Sequence, residues 1–206
     1  MGCAFHPPAK RRYHEHALSS SPTQAARLAD YVRDRKTMSE EVFYRAHPDP
    51  VLLHRPEDAE QGPRTFKTGL TDPFASRMEL SVGLSTDPDL AVLPVRKKPG
   101  GVFQDRVGVG RTRNNDIQLP YPKVSKFHAY FTWSPDRSEY YLTDAGSTNG
   151  TFVNGHRLVP KRAVVVPDRC VVSFGRYHFR FHTAQGLWTV LGQIAYGFDH
   201  DPAADA

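Results

Sequence analysis

The chain has little cysteine. Cys3 and Cys170 are its only two in 206 residues, too few for a disulfide framework. Cys170 lies in an apolar run and reads as a small core residue. Such usage suits a reducing compartment, so the expected location is cytoplasmic. Long hydrophobic runs are also missing: no stretch approaches the ~20 residues that cross a bilayer. The first residues, M-G-C-A-F-H-P-P-A-K-R-R, carry charge with no apolar segment behind it, which argues against a secretory signal. His6 stands where a myristoylation motif needs Ser or Thr. Walker and H-E-x-x-H motifs are absent, and Gly108-Val109-Gly110 runs into Arg-Thr-Arg rather than a dinucleotide fingerprint. Cys3, His6, His14 and His16 fit no zinc spacing. Neither a metal nor a cofactor is expected.

What the chain does have is positive charge in one half. Residues 1–87 balance Lys and Arg against Asp and Glu, so the net charge of +5 belongs to residues 88–206. A basic surface suits an anionic partner, nucleic acid or a phosphorylated protein. Basic and aromatic residues do not interleave along one strand, which argues against nucleic acid.

Residues 1–20 read as a disordered tail, and residues 21–87 as an N-terminal extension. A helix is expected after a Ser21-Pro22-x-Gln24 cap, with Ala25, Leu28, Ala29 and Val32 on its apolar face. A second is expected over Thr37–Ala46, capped by Thr37 and facing inward through Val42, Phe43 and Ala46, with Pro48 and Pro50 stopping it. Thr65–Leu70 and Met78–Leu84 have strand character. From Leu90 onward short strands follow one another between turns: 90–97, 106–109, 117–119, 127–133, 139–143, 151–153, 156–158, 163–166, 171–174 and 177–181. This spacing indicates an all-β sandwich. Alternation shows at Phe127, Ala129, Phe131 and Trp133, and again at Tyr177, Phe179 and Phe181. Asn154-Gly155 is a hairpin signal. Residues 183–206 read as a short closing helix over 187–194 and a tail.

Three polar clusters interrupt the apolar segments: Gly110-Arg111-x3-Asn115-Asp116-Ile117, Val124-Ser125-Lys126-Phe127-His128-Ala129, and Ser147-Thr148-Asn149-Gly150-Thr151-Phe152-Val153-Asn154-Gly155. Their chemistry suits a phosphate. Arg111 offers a planar fork of donors, Ser125 and Thr148 offer hydroxyls, Lys126 adds a point charge, and Asn149 both donates and accepts. Gly110 and Gly150 read as backbone devices, and Asn115 and Asp116 as turn-formers.

In order and spacing these clusters resemble the forkhead-associated (FHA) domain family, over about residues 88–182. Lys126 departs from the family pattern, where arginine is frequent; it keeps the charge but not the fork geometry. The resemblance implies an FHA-type β-sandwich that reads phosphothreonine peptides and is not an enzyme. It gives Arg111, Ser125 and Thr148 to the phosphate, Asn149 to the peptide main chain, and His128 to bracing the loop. The implied role is phosphorylation-dependent protein–protein interaction in signal transduction, and the implied partner is a threonine-phosphorylated protein, such as a Ser/Thr kinase or its substrate. A scaffold of the same fold, binding without phosphorylation, is the alternative. A hydrolase built on Ser125, His128 and Asp144 is disfavoured, because Ser125 lacks a nucleophile elbow. Thr23, Thr37, Thr65, Thr68 and Thr71 in the extension raise phospho-dependent self-association as a further expectation.

Overall fold

The structure, a computed structural model, describes residues 26–55, 89–101 and 103–198. In chain order its elements are β1 (Ala26–Arg27), α1 (Leu28–Thr37), α2 (Glu40–Ala46), β2 (Val51–His54), β3 (Ala91–Pro94), β4 (Val107–Gly110), β5 (Ile117–Gln118), β6 (Ala129–Ser134), β7 (Glu139–Asp144), β8 (Thr151–Val153), β9 (His156–Arg157), β10 (Ala163–Val165), β11 (Val171–Phe174), β12 (Tyr177–His182) and α3 (Ala184–Phe198). The expected strands at residues 65–70 and 78–84, and the cap at Ser21, lie outside the described residues.

The strands form two sheets, one ordered β1-β3-β2-β12-β11-β8-β9 and the other β10-β7-β6-β4-β5. Every pairing is antiparallel except β4 with β5. The two sheets pack face to face as a sandwich. Alternation places Phe179 and Phe181 of β12 and Ala129 and Phe131 of β6 in one core, with Val109, Leu142, Val172 and Phe174. At Phe127 and Trp133 the expected alternation fails. Phe127 precedes β6 and packs against Phe103 and Tyr130 instead. Trp133 is 43% exposed, with its ring 4.5 Å from that of Tyr140.

β2 is not among the expected strands. It pairs with β12 through Leu52↔Phe181 and with β3 through Leu52↔Leu93. Leu52 belongs to the sandwich core, whereas Val51 and Leu53 belong to a second core with Leu28, Tyr31, Phe43, Leu187 and Leu191. A strand covered on both faces shows an apolar run rather than alternation, and Val51-Leu52-Leu53 is such a run. The helices thus form a third layer on the outer face of the larger sheet.

Both N-terminal helices differ from expectation. α1 begins at Leu28 and buries Leu28 and Tyr31; Ala29 is exposed. α2 begins at Glu40, and Ser39 is its cap, accepting from the Val42 N–H at 3.4 Å. Thr37 instead ends α1, where its hydroxyl donates to the Arg33 carbonyl. Seven residues make only two turns, and of the expected face only Phe43 is buried, while Val42 is 46% exposed. α3 is longer than its expected core. Thr183 caps it, accepting from the Gly186 N–H at 3.0 Å, while Asp168 accepts from the Thr183 N–H at 2.7 Å.

His182, at the end of β12, is fully buried, and neither ring nitrogen has a hydrogen-bond partner among the described residues. Burial pushes its pKa down to about 4. The folded chain therefore binds its proton less readily than the unfolded one, and stability falls as acid is added. That contribution is complete above pH 6.5 and is lost progressively toward pH 4. Urea titrations across this window are expected to show the decline, and His182→Leu to make it shallower. Leu53→Ala, which opens a cavity between sheet and helices, is expected to cost about 2–5 kcal/mol. The exposed Val42→Ala is expected to cost within about 0.5 kcal/mol in the same urea measurement.

Candidate functional site

The three clusters meet at one end of the sandwich. Arg111 to Asp116 form the loop from β4 to β5. Lys123 to His128 belong to the loop from β5 to β6, and Ala145 to Gly150 to the loop from β7 to β8. Arg111 is placed by its backbone N–H, which donates to the Ser125 carbonyl at 2.9 Å. Gly110 has to be glycine for this approach, because a Cβ there would collide with the Lys126 carbonyl. The Asn115 amide donates to that same carbonyl at 2.7 Å and to the Thr112 carbonyl at 2.9 Å. Asp116 is buried, accepting from the Gly108 N–H at 2.7 Å and pairing with Lys97 at 2.7 Å. Asn115 and Asp116 therefore hold the Arg111 loop from beneath.

His128 joins the second loop to the third. Its Nδ1 accepts from the Ser125 N–H at 3.0 Å, and its Nε2 lies 3.1 Å from the Gly150 carbonyl. An N–H can only donate and a carbonyl can only accept, so the ring is neutral with its proton on Nε2. Burial pushes its pKa down, against the pull of the Gly150 carbonyl and Asp144. The Ser125 hydroxyl accepts from the Thr148 N–H at 3.1 Å, which leaves its own proton to donate outward. Asn149 donates to the Lys123 carbonyl at 2.7 Å, closing the third loop onto the second.

Asp144 organises the third loop from below. It accepts from the N–H groups of Gly146 and Ser147 at 2.8 and 2.9 Å, and from the hydroxyls of Ser147 and Thr151 at 2.6 and 2.5 Å. Burial pushes its pKa up, but these hydrogen bonds outweigh burial and hold the carboxyl below the usual range. The positive φ of Gly150, 81°, lets the chain turn into β8. Ser125, His128 and Asp144 do not form a triad. Both His128 nitrogens face backbone groups, and the Asp144 carboxylate is occupied by its own loop.

Arg111, Lys126, Thr148 and Asn149 are exposed. The guanidinium of Arg111, the ammonium of Lys126 and the hydroxyl of Thr148 have no partner among the described residues. The arrangement is an exposed polar surface of donors, suited to an anion with several acceptor oxygens. Among the described residues no group of three or more His, Cys, Asp or Glu could hold a metal ion.

Two contributors carry no motif. His54 of β2 lies under the second loop: its Nε2 is 2.8 Å from the Tyr121 hydroxyl, and its ring stacks on Phe179 at 4.3 Å. Tyr121 in turn accepts at its carbonyl from the Val124 N–H at 3.0 Å. Arg157 of β9 lies against Gly150, where a Cβ would stand 2.7 Å from its Nε. No spacing rule points to either residue; each reaches the site through sheet register.

A family model described as FHA domain matches residues 107–175. Among curated proteins, the mouse angiogenic factor with G patch and FHA domains 1 (Mus musculus) is 34% identical over 90 residues, covering 42% of this chain and 13% of that protein. An ABC transporter ATP-binding/permease protein of Mycobacterium tuberculosis is 28% identical over 131 residues, covering 63% of this chain and 15% of that protein. The chain thus spans only a small part of these relatives. Among solved structures, the FHA domain of an Arabidopsis thaliana hypothetical protein is 28% identical, with a TM-score of 0.35, covering 42% of this chain and 70% of that one. A structure from work on phosphothreonine-dependent FHA domain interactions is 23% identical, with a TM-score of 0.37, covering 45% and 83%.

Replacing His128 by Phe keeps a ring beside Phe174 but leaves the Ser125 N–H and the Gly150 carbonyl without the imidazole. Leaving such groups unsatisfied costs about 1–3 kcal/mol. Urea denaturation is expected to show a loss of that size, and amide exchange to show faster opening at Ser125 and across 145–150 than in the strands.

Proposed function

The chain carries a forkhead-associated domain over residues 107–175, and from that premise we propose that it is a phosphothreonine-peptide reader that joins proteins when one of them is phosphorylated. The observation that carries the reading is the convergence of Arg111, Ser125, Lys126 and Thr148 from three loops, with their outward donors unpaired among the described residues. A phosphothreonine carries about −1.5 to −2 charge and three acceptor oxygens. Arg111 would take two of these through its fork, and Ser125 and Thr148 would donate to the third. Lys126 would supply charge beside them, and Asn149 would offer its remaining amide groups to the peptide main chain.

Charge-assisted hydrogen bonds contribute ~1.5–3 kcal/mol each. Three or four of them, less the cost of ordering a peptide, give a dissociation constant on the order of micromolar. The partner is a threonine-phosphorylated protein, and the function is one of signalling rather than catalysis. Among the described residues no helix is long and apolar enough to cross a membrane; a cytoplasmic setting is part of the proposal. Self-association through phosphorylated threonines of the extension also belongs to it. Of those threonines only Thr37 is described, exposed at the end of α1.

Calorimetric titration with a degenerate phosphothreonine peptide pool tests the reading. Micromolar binding is expected, absent with phosphoserine and unphosphorylated pools and lost in Arg111→Ala. A partner protein captured equally well before and after phosphatase treatment, by wild type and Arg111→Ala alike, would favour the phosphorylation-independent scaffold.

A further inference from the structure

Among the described residues the two sheets end in four edge strands, and an edge presents backbone groups to which no neighbour is paired. Three of these edges, β1, β5 and β9, are two residues long. The fourth is β10, Ala163–Val165, which pairs with β7 alone. The Val166 N–H donates to the Tyr140 carbonyl at 2.8 Å. By the alternation of an antiparallel ladder, Val164 then bonds toward β7, while the N–H and C=O of Ala163 and Val165 point away from the sheet.

The devices that guard an edge are missing from this strand. Its three residues carry no charge and no proline, and its register with β7 runs without a bulge. Ala163 and Val165 are exposed, Val165 to 37%. Val165 lies opposite Tyr141, and Tyr141 opposite Thr132, so the row behind the edge is uncharged too. Charge stands only at the ends of the segment. Lys161 and Arg162 precede it, and Asp168 follows it, 3.5 Å from Arg169.

We propose that β10 is a self-association edge, which pairs antiparallel with β10 of a second copy of this chain and joins the two five-stranded sheets into one. The outward groups are self-complementary. With Val164 on the two-fold axis, Ala163 of one copy exchanges both backbone hydrogen bonds with Val165 of the other, and the reverse pair does the same. A foreign strand would be selected by pockets for its alternate side chains, whereas the edge offers only small apolar side chains that match their own. Antiparallel pairing also sets the basic start of each segment beside the end that carries Asp168. Parallel pairing would bring the basic starts together.

The Lys161 N–H donates to the Asp144 carbonyl at 2.8 Å, so β10 begins at the end of the sandwich that bears the loops. The two-fold axis therefore points the two loop ends in opposite directions. Such a dimer bridges two phosphorylated partners rather than gripping one twice. The bridging role rests on the phosphothreonine reading, but the strand pairing does not.

Sedimentation equilibrium of the full chain after phosphatase treatment, from about 1 to 300 µM, tests the pairing. The contact is smaller than a standard interface, so a dissociation constant on the order of tens of micromolar is expected. Amide exchange at the upper concentrations should slow at Ala163 and Val165 and not at Val164, which is already bonded to β7. Val165→Pro removes an outward N–H and spares the β7 ladder; it is expected to stay monomeric with its melting temperature kept. Val165→Lys, which sets an ammonium on the exposed face beside the edge, should do the same and decides the matter if the proline variant fails to fold. Arg111→Ala should dimerise like wild type. A wild-type chain monomeric throughout, or a dimer that survives both Val165 variants, would overturn the proposal. A dimer seen only before phosphatase treatment, and absent in Arg111→Ala, would overturn it in favour of phospho-dependent self-association. Dimers that bind no phosphothreonine peptide would remove the bridging role and leave the strand pairing standing.

Discussion

The site depends on one neutral imidazole. The second and third loops have little regular structure, and hydrogen bonding across them is what makes them a surface. His128 supplies it by accepting from the Ser125 N–H and donating to the Gly150 carbonyl. Only one tautomer satisfies both, and a protonated ring would set a donor against the Ser125 N–H. Burial holds the ring in its neutral form by lowering its pKa, so its surroundings and its hydrogen bonds demand the same state. The Gly150 carbonyl also accepts from Gly175. Two loops and the β11–β12 turn therefore meet at one oxygen.

The sandwich was legible because its strands are half-buried and alternate. Tyr177, Phe179 and Phe181 declare which face of β12 points inward, and the ladder to β11 follows. The three polar clusters were legible because their residue types suit one chemistry and their spacing matches one family. What was not legible came from long-range register. β2 is the three-residue apolar run Val51-Leu52-Leu53 closed by His54, and a short apolar run does not distinguish strand from helix. Its partners lie far along the chain, in β3 and in β12, so nothing local announces it. His54 and Arg157 were missed for the same reason: both reach the site through sheet pairing. Arg157 is set opposite Phe152 by the β8–β9 register. The helix faces failed differently. Ala29 and Val42 satisfied the helical period, but the sheet beneath decides which side is covered, and it covers Tyr31 and Phe43.

The third layer bears on how the site works. Because β2 sits between β3 and β12, the residues around it are part of the larger sheet. His54 couples that strand to Tyr121, and Tyr121 anchors the loop that presents Ser125. Rigidity at the site therefore draws on the helical layer through Leu53 and on the sandwich core through Leu52. A binding surface gains affinity when its loops are ordered before the ligand arrives, since ordering them afterwards would consume part of the interaction. Polar groups are divided accordingly. Beneath the surface, Asn115, Asp116, His128, Asp144 and Thr151 all have partners and fix the backbone. Above it, Arg111, Lys126 and Thr148 present donors with none among the described residues. A fold that stabilised itself with those outer donors would have to break bonds in order to bind. This one holds its loops with the inner set and keeps the outer set for an anion.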